Sequence, residues 1–186
     1  FFRKFFYSST LNIGLVLNYY NLVILFSAVI SILTVTIIGF LDDLIIDKSH
    51  DASYGFKQWQ KPLLTLIAAV PLMVVKTETA HMGLPFIGVV DFGILYALIL
   101  VPIGFVGASN MVNMLAGING LETGMGIIYF GMLGLYAYVQ KSYVASLIAL
   151  LVFCSLLAFF FYSKYPSKIF PGDSLTYLLG STIAVI

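Results

Sequence analysis

The sequence predicts an all-α protein, a polytopic bundle of transmembrane helices. Of its 186 residues, 61% are hydrophobic and only 9% are charged, and the mean hydropathy is +1.04. A soluble domain devotes about a quarter of its residues to charge, so these side chains cannot cover a surface that faces water. The apolar runs are continuous instead of alternating in short segments, which favours helices over membrane-spanning strands.

Six apolar segments carry this prediction, since about 20 residues of helix cross the hydrocarbon core. The first, 22–41, contains no charge, and the second, 62–75, is short and follows Lys61. The later segments are 92–109, 123–138, 144–162 and one that starts near Leu175. Helix is expected for all six, because an isolated strand cannot satisfy its backbone hydrogen bonds in lipid.

One membrane domain, residues 1–186, accounts for the chain, and we interpret it as a fragment of a longer protein that lacks N-terminal and C-terminal spans. Nine Lys+Arg against eight Asp+Glu leave the chain nearly neutral, which argues against a nucleic-acid partner. The one cysteine, Cys154, lies in an apolar run, where a small lipid-facing or core side chain is expected.

Alternating spans assign the loops to two sides of the membrane. Loops 42–61, 110–122 and 163–174 share side one, while loops 76–91 and 139–143 share side two. Six of the eight acids fall on side one: Asp42, Asp43, Asp47, Asp51, Glu122 and Asp173. The basic residues divide five to four, so the positive-inside rule favours a cytoplasmic side one only weakly.

Two acids and a lysine frame the first loop of side one. Asp42 and Asp43 end the first span, and their mutual repulsion makes ionising both near lipid costly unless a cation is close. Lys61 ends the same loop and could meet a phosphate as a point charge. Each also has a simpler interpretation, a water-facing helix end for the aspartates and an interfacial anchor for the lysine.

The segment NMVNMLAGINGL, Asn110–Leu121, is the least expected feature of so apolar a chain. Asn110 and Asn113 are three residues apart and share one helical face, where amides can join helices. Gly117 and Asn119 then help to break the helix and can expose backbone groups to a ligand. Irregular backbone is tolerated at membrane depth only where it is buried in protein or lines a wet cavity, so we expect a polar cavity on side one.

The segment FPGDSL places Asp173 after a Pro-Gly turn at the expected start of a helix. The aspartate is either an ordinary N-cap or part of a site for anions and metal–phosphate complexes. Phe170 is either an interfacial aromatic or a platform for a nucleobase.

The side-one residues together suit a hard cation. Mg²⁺ typically takes one or two carboxylates plus substrate phosphates, and carboxylates, an amide oxygen and a lysine converge on this side. No zinc cluster is expected, since His50 and His81 lie on opposite sides. The pattern predicts a Mg²⁺-dependent phosphoryl-transfer site at the membrane surface.

Four motifs, in order, resemble those of the polyprenyl-phosphate N-acetylhexosamine-1-phosphate transferases. They are GFLDDL (39–44), KPLLTLIAAVPLMVV (61–75), NMVNMLAGINGLE (110–122) and YPSKIFPGDSLTY (165–177). The AGINGL form resembles the eukaryotic and archaeal branch, which uses dolichyl phosphate, whereas bacterial peptidoglycan-precursor enzymes carry aspartates where Ala116 and Asn119 stand. The resemblance implies a ten-span fold, of which this chain holds spans three to eight, with side one cytoplasmic and an extracytoplasmic hairpin at 81–91.

The resemblance also implies residue roles. The catalytic centre would contain Asp42, Asp43 and Lys61. The Mg²⁺ ligands, with Mn²⁺ as the alternative metal, would be Asn113 and Asp173. The uracil-contacting positions would be Gly117, Asn119 and Phe170. The loop before Lys61 is longer than in eukaryotic members, so Lys57 or Lys48 could take the place of that lysine.

The reaction that follows from the resemblance is transfer of GlcNAc-1-phosphate from UDP-GlcNAc to a polyprenyl (dolichyl) phosphate with release of UMP. It is the first membrane step of lipid-linked glycan synthesis, as in protein N-glycosylation. The implied partners are both substrates, membrane lipid and a second copy in a homodimer. The expected location is an archaeal plasma membrane or the endoplasmic reticulum membrane, with the site facing the cytoplasm.

Two alternatives stay open. One is a phospho-MurNAc-pentapeptide or other HexNAc-1-phosphate transferase. The other is a membrane transporter with the acids as ion-coupling sites. A transporter predicts acids near mid-membrane, whereas these acids lie at span ends.

Overall fold

The structure, a computed structural model, describes residues 19–45, 55–75, 81–84 and 88–186. Four residues considered above lie outside them: Asp47, Lys48, His50 and Asp51. The α-helices of the described part are α1 Tyr19–Ile45, α2 Gln60–Val75, α3 Val101–Met114, α4 Leu121–Val139, α5 Tyr143–Ser163 and α6 Asp173–Val185. Each expected apolar segment overlaps one of these α-helices, and the all-α membrane fold is confirmed.

Three helical segments of the described chain are long and apolar enough to cross a membrane, namely Leu22–Ile45, Tyr96–Met114 and Tyr143–Ser163. The helix α2 is apolar but has only 16 residues, as its sequence predicts. Large apolar side chains such as Ile37 and Leu135 are mostly exposed on the outer faces. Because so much apolar surface is unfavourable in water, these faces suit contact with lipid.

The third segment begins and ends differently from the expected 92–109. A π-helical turn, Tyr96–Leu100, continues into α3, and Pro102 stands near the start of that helix. Proline has no N–H group to donate to the preceding π-helical turn, so Pro102 interrupts the hydrogen-bond ladder where the two helical segments join. The helix then continues past Ser109 to Met114.

The connection between α2 and α3 contains the expected hairpin. Strand β1, His81–Leu84, pairs antiparallel with β2, Gly88–Asp91, and His81 lies opposite Asp91. The hairpin follows the end of α2, so it lies at the opposite end of the bundle from Lys61 at the start of that helix.

The helix α6 lies at the centre of the bundle. One buried cluster joins it to α1, α2 and α3 around Phe105 and Tyr177, and a second joins it to α4 and α5 around Phe130 and Leu179. Close approach of α1 requires Gly39, where an added Cβ would lie only 2.7 Å from the Asp173 carbonyl oxygen. The start of α6 is therefore packed directly against the end of α1.

Candidate active site

The side-one loops meet at one end of the bundle, as the alternation of spans predicts. Asp42 stands near the end of α1, Lys61 at the start of α2, Asn113 at the end of α3 and Asp173 at the start of α6. Direct contacts join these helix ends, although the chain between the first and the last is long. The prediction of a shared face is confirmed.

Lys61 lies between two carboxylates. Its Nζ is 2.6 Å from Asp42 Oδ2 and donates a 2.7 Å hydrogen bond to Asp173 Oδ2. The Asp42 side chain is only 1% exposed, and its other oxygen accepts the Phe56 N–H at 2.6 Å. A buried carboxylate is stable only when it is paired and hydrogen-bonded, and both oxygens of Asp42 meet that condition.

The Lys61 ammonium keeps its charge at the edge of the apolar stretch of α2. Burial lowers the pKa of Lys61, but hydrogen bonds and charge from Asp173 and Asp42 outweigh burial and raise this pKa above its ordinary value. Lys57 is exposed, and its backbone N–H donates to the Gln60 side chain at 2.8 Å. Of the two candidate lysines that the structure describes, Lys61 is the one between the carboxylates.

Asp43 caps the start of α6 from a different helix. Its Oδ1 accepts the Asp173 N–H at 2.8 Å, and its Oδ2 accepts the Ser174 N–H at 3.1 Å and the Ser174 hydroxyl at 2.9 Å. The residue at the N-cap position of α6 is Gly172, which has no side chain that could accept these N–H groups. An added Cβ at Gly172 would also collide with the Asp43 carboxylate.

The two neighbouring aspartates therefore have different partners. Adjacent residues on a helix point about 100° apart, so Asp42 faces Lys61 while Asp43 faces the start of α6. This geometry favours a positioning role for Asp43, which fixes the backbone of Asp173. The expected catalytic roles of both residues stay predictions.

Asn113 lies beside the Asp173 carboxyl and the Tyr177 hydroxyl. Its Nδ2 is nevertheless buried, with no hydrogen bond of acceptable geometry to any described residue. An amide can present oxygen in place of nitrogen by turning about its last bond. Asn113 and Asp173 can therefore offer two neighbouring oxygen ligands.

These two oxygen ligands fit the coordination that Mg²⁺ has when it binds together with a phosphate substrate. Mg²⁺ usually binds one or two protein groups and completes its shell with water and phosphate oxygens. Within the described ranges, no three His, Cys, Asp or Glu side chains form a metal cage. The residues therefore suit a cation shared with a substrate phosphate, in place of one enclosed by protein.

Asn110 joins three helices, one helical turn before Asn113 in α3. Its Nδ2 donates to Thr65 Oγ1 at 2.9 Å and to the Val106 carbonyl at 2.8 Å, and its Oδ1 accepts the Tyr177 hydroxyl at 3.4 Å. These bonds link α2, α3 and α6, so the interpretation of Asn110 as a helix-packing amide is confirmed.

The loop between α3 and α4 breaks the helix as expected. Gly117 has φ 134° and Gly120 has φ 76°, both in the region that favours glycine. Gly120 packs against the end of α5, where an added Cβ would lie 3.1 Å from Lys164 Cα. Gly117 is exposed and Asn119 partly so, which leaves this part of the loop accessible to a ligand.

Phe170 lies on the neighbouring loop between α5 and α6. The side chain is 58% exposed and lines a groove of about 420 Å³ together with Phe159 and Leu175. Both loops adjoin the end of α5, but Phe170 is not part of the cluster around Lys61. The uracil-binding roles of Phe170, Gly117 and Asn119 stay predictions.

Sequence reasoning missed the role of Glu122, which it counted only among the side-one acids. The side chain is 4% exposed, and its Oε1 accepts the Gly117 N–H at 2.6 Å. An acid in the first turn of a helix that follows an irregular loop often accepts a backbone N–H behind it. That pattern was visible in the sequence and could have predicted that Glu122 accepts a backbone N–H, but not that the donor is Gly117.

Comparison with known proteins agrees with the ordered motifs. The profile of glycosyl transferase family 4 matches residues 25–186. The chain is 38% identical over 165 residues to a Saccharolobus solfataricus protein named as a candidate UDP-N-acetylglucosamine–dolichyl-phosphate N-acetylglucosaminephosphotransferase, covering 86% of this chain and 48% of the relative. A Sulfolobus acidocaldarius protein with the same name is 32% identical over 165 residues, 86% of this chain and 47% of its own.

Bacterial relatives are similar to a comparable degree. The phospho-N-acetylmuramoyl-pentapeptide-transferase of Lactiplantibacillus plantarum is 41% identical over 152 residues, covering 80% of this chain and 47% of the relative. The chain thus spans about half the length of the curated relatives that it matches. The family match and the three helices that are long and apolar enough to span a membrane identify the chain as part of an integral membrane protein. The chain belongs to glycosyl transferase family 4.

Proposed function

We propose that the protein transfers GlcNAc-1-phosphate from UDP-GlcNAc to a polyprenyl phosphate, specifically dolichyl phosphate, and releases UMP. The observation that carries the proposal is the Lys61 ammonium held between Asp42 and Asp173 at one end of a membrane bundle, with Asn113 beside Asp173. The names of the two archaeal relatives support this choice of sugar and acceptor.

In this reaction an oxygen of the lipid phosphate attacks the β-phosphorus of the nucleotide sugar. A new P–O bond forms as the bond from the β-phosphorus to the bridging oxygen breaks, and that oxygen leaves on UMP with the electron pair. Three phosphate groups meet in the transition state, so positioning and neutralisation of charge supply most of the catalysis.

The chain supplies these effects with few groups. The Lys61 ammonium attracts the negative phosphates, and its ion pair with Asp42 fixes its orientation. Asp173 and Asn113 would bind Mg²⁺, which when bound neutralises phosphate oxygens as a Lewis acid. Asp43 keeps the Asp173 backbone in place through the cap on α6.

The position of the site suits a lipid acceptor. These five residues lie at or near helix ends, and the outer faces of the helices are apolar, so a polyprenyl chain can stay in the bilayer while its phosphate reaches Lys61. We include in the proposal that this end faces the cytoplasm, since five of the nine basic residues belong to side one.

A second candidate donor is UDP-MurNAc-pentapeptide. The 41% identity to the Lactiplantibacillus plantarum enzyme favours it. Ala116 and Asn119 favour UDP-GlcNAc, since the bacterial enzymes that the chain resembles carry aspartates at these positions.

The proposal is tested by Asp173→Ala in the natural full-length protein, assayed in membranes. We expect Mg²⁺-dependent transfer from labelled UDP-GlcNAc to dolichyl phosphate, with matching UMP release, to fall at least about a hundredfold. Lys168→Ala, an exposed lysine in the preceding loop, is the matched control and should keep full activity. Normal turnover in the Asp173 variant would contradict the metal assignment, and transfer only from UDP-MurNAc-pentapeptide would establish the second candidate.

A further inference from the structure

Glu122 is a buried acid that the proposed reaction does not use. It stands in the first turn of α4 with 4% of its surface exposed. Its Oε1 accepts the Gly117 N–H at 2.6 Å, and its Oε2 is buried with no hydrogen-bond partner among the described residues. Burying a carboxylate carries a free-energy cost of several kcal/mol, so this contact needs a reason beyond a favourable helix end.

An ordinary capping acid does not explain the geometry. In a capping box, the acid of the first turn reaches back to the N–H of the N-cap residue. The Glu122 side chain instead reaches back beyond Gly120, the N-cap residue of α4, to Gly117. The bond therefore fixes the loop to the helix more than it completes the helix.

The start of α4 is a firm support for that bond. The Thr123 hydroxyl lies 2.7 Å from the Ser163 hydroxyl, and both side chains are fully buried. Gly120 packs closely on the backbone at Lys164. Because α4 and α5 are joined at this point, Glu122 transmits their fixed position to the exposed loop.

We propose that Glu122 is a positioning residue for the uridine nucleotide, through its hydrogen bond to the Gly117 peptide. The inference rests on the proposed function and on the expected contact of Gly117 and Asn119 with uracil. It adds a constraint to that contact. Since the Gly117 N–H is already donated to Glu122, the nucleotide can meet Gly117 only at its carbonyl oxygen or at the flat face of its peptide.

The free oxygen of Glu122 permits a sharp choice of variants. The Glu122 side chain lines a small apolar cavity of about 20 Å³ together with Val112, Leu115 and Met125, which has room for no more than one water. Glutamine keeps an acceptor for Gly117 and puts its NH₂ at the unpartnered position. Alanine removes the acceptor altogether. Glu122→Gln should therefore retain the positioning and Glu122→Ala should lose it.

The test uses the full-length protein and measures UMP binding by calorimetric titration together with steady-state kinetics. We expect Glu122→Ala to weaken UMP binding and to raise KM for UDP-GlcNAc about tenfold or more, since the hydrogen bond that fixes the Gly117 peptide is lost. The kcat and the KM for the lipid phosphate should stay within about threefold. Glu122→Gln should restore both nucleotide parameters to near the natural values.

Thr123→Ala is the matched control. It breaks the buried hydroxyl pair one residue away and lowers stability, but it leaves the bond from Gly117 to Glu122 in place. Natural UMP affinity in folded Glu122→Ala would overturn the inference, as would equal weakening in Thr123→Ala or in Glu122→Gln. The UMP titration does not depend on the sugar or the acceptor. If GlcNAc transfer fails but the UMP affinities of the variants differ as expected, the proposed reaction is refuted and the role of Glu122 stands.

Discussion

Replacing Asp43 with alanine would remove the three hydrogen bonds by which this carboxylate caps the start of α6. The carboxylate accepts two backbone N–H groups, from Asp173 and Ser174, and one hydroxyl. Loss of a single N-cap costs about 0.5–2 kcal/mol, and each buried donor left without a partner costs about 1–3 kcal/mol. With these groups partly buried, we expect a loss of about 2–4 kcal/mol, which leaves most proteins folded.

The effect on activity should exceed the effect on folding. Asp173 is the first residue of α6, so its carboxylate moves when the cap is lost. A displacement of about 1 Å at a reacting group can lower the rate about a hundredfold. We expect that loss for Asp43→Ala, with a higher Mg²⁺ concentration needed for half-maximal rate. Asp43→Asn keeps one acceptor and should lose about tenfold.

Two further variants separate the cap from the carboxylate itself. Ser174→Ala removes only the hydroxyl bond and should cost about 1 kcal/mol, with activity within about threefold of the natural protein. Gly172→Ala keeps Asp43 but places a methyl group against its oxygens, so it should behave like Asp43→Ala.

The assay combines thermal unfolding in detergent with transfer of labelled GlcNAc-1-phosphate across a range of Mg²⁺ concentrations. Our reasoning would be refuted by an inactive Asp43→Asn with natural stability and natural Mg²⁺ dependence, together with an active Gly172→Ala. That pattern would mean that Asp43 acts directly on the substrate.

Two other variants probe the rest of the site. Lys61→Met leaves the Asp42 carboxylate buried without its cation, so it should destabilise the protein by about 3–5 kcal/mol and abolish transfer. Adding Asp42→Asn to this variant should recover much of the stability but no activity. Transfer activity in the single or the double variant would contradict the role of Lys61. Asn110→Ala breaks the link among three helices and should lower stability by about 1–3 kcal/mol with kcat nearly unchanged; a large loss of kcat at natural stability, by the same two measurements, would place Asn110 in the reaction.

Some of the site followed from the sequence because it depends only on the alternation of spans, which places every second loop on the same side of the membrane. Once six segments are taken as spans, the loops that carry Asp42, Asn113 and Asp173 must reach the same side of the membrane. The spacing of Asn110 and Asn113 likewise required both to lie on one helical face. Neither inference needed to know how the helices pack.

The helix limits were harder to predict. The third segment was expected over 92–109, but a π-helical turn precedes α3 and the helix continues to Met114. Hydropathy falls at Asn110 and Asn113, which makes a span appear to end there. In the structure the Asn110 amide is satisfied by α2 and α6, so the helix can continue through polar residues.

By itself, the sequence determined an apolar bundle of helices and a concentration of acids and amides on one side of the membrane, because the membrane imposes span length, backbone pairing and alternation on any such chain. Only the tertiary structure decided which partner each polar group has. Lys61 meets Asp173 across 112 residues, and Asp43 meets it across 130. Such contacts depend on the rotation of each helix and on close approach at Gly39 and Gly172. That packing gives two adjacent aspartates different tasks and makes Glu122 a partner of Gly117.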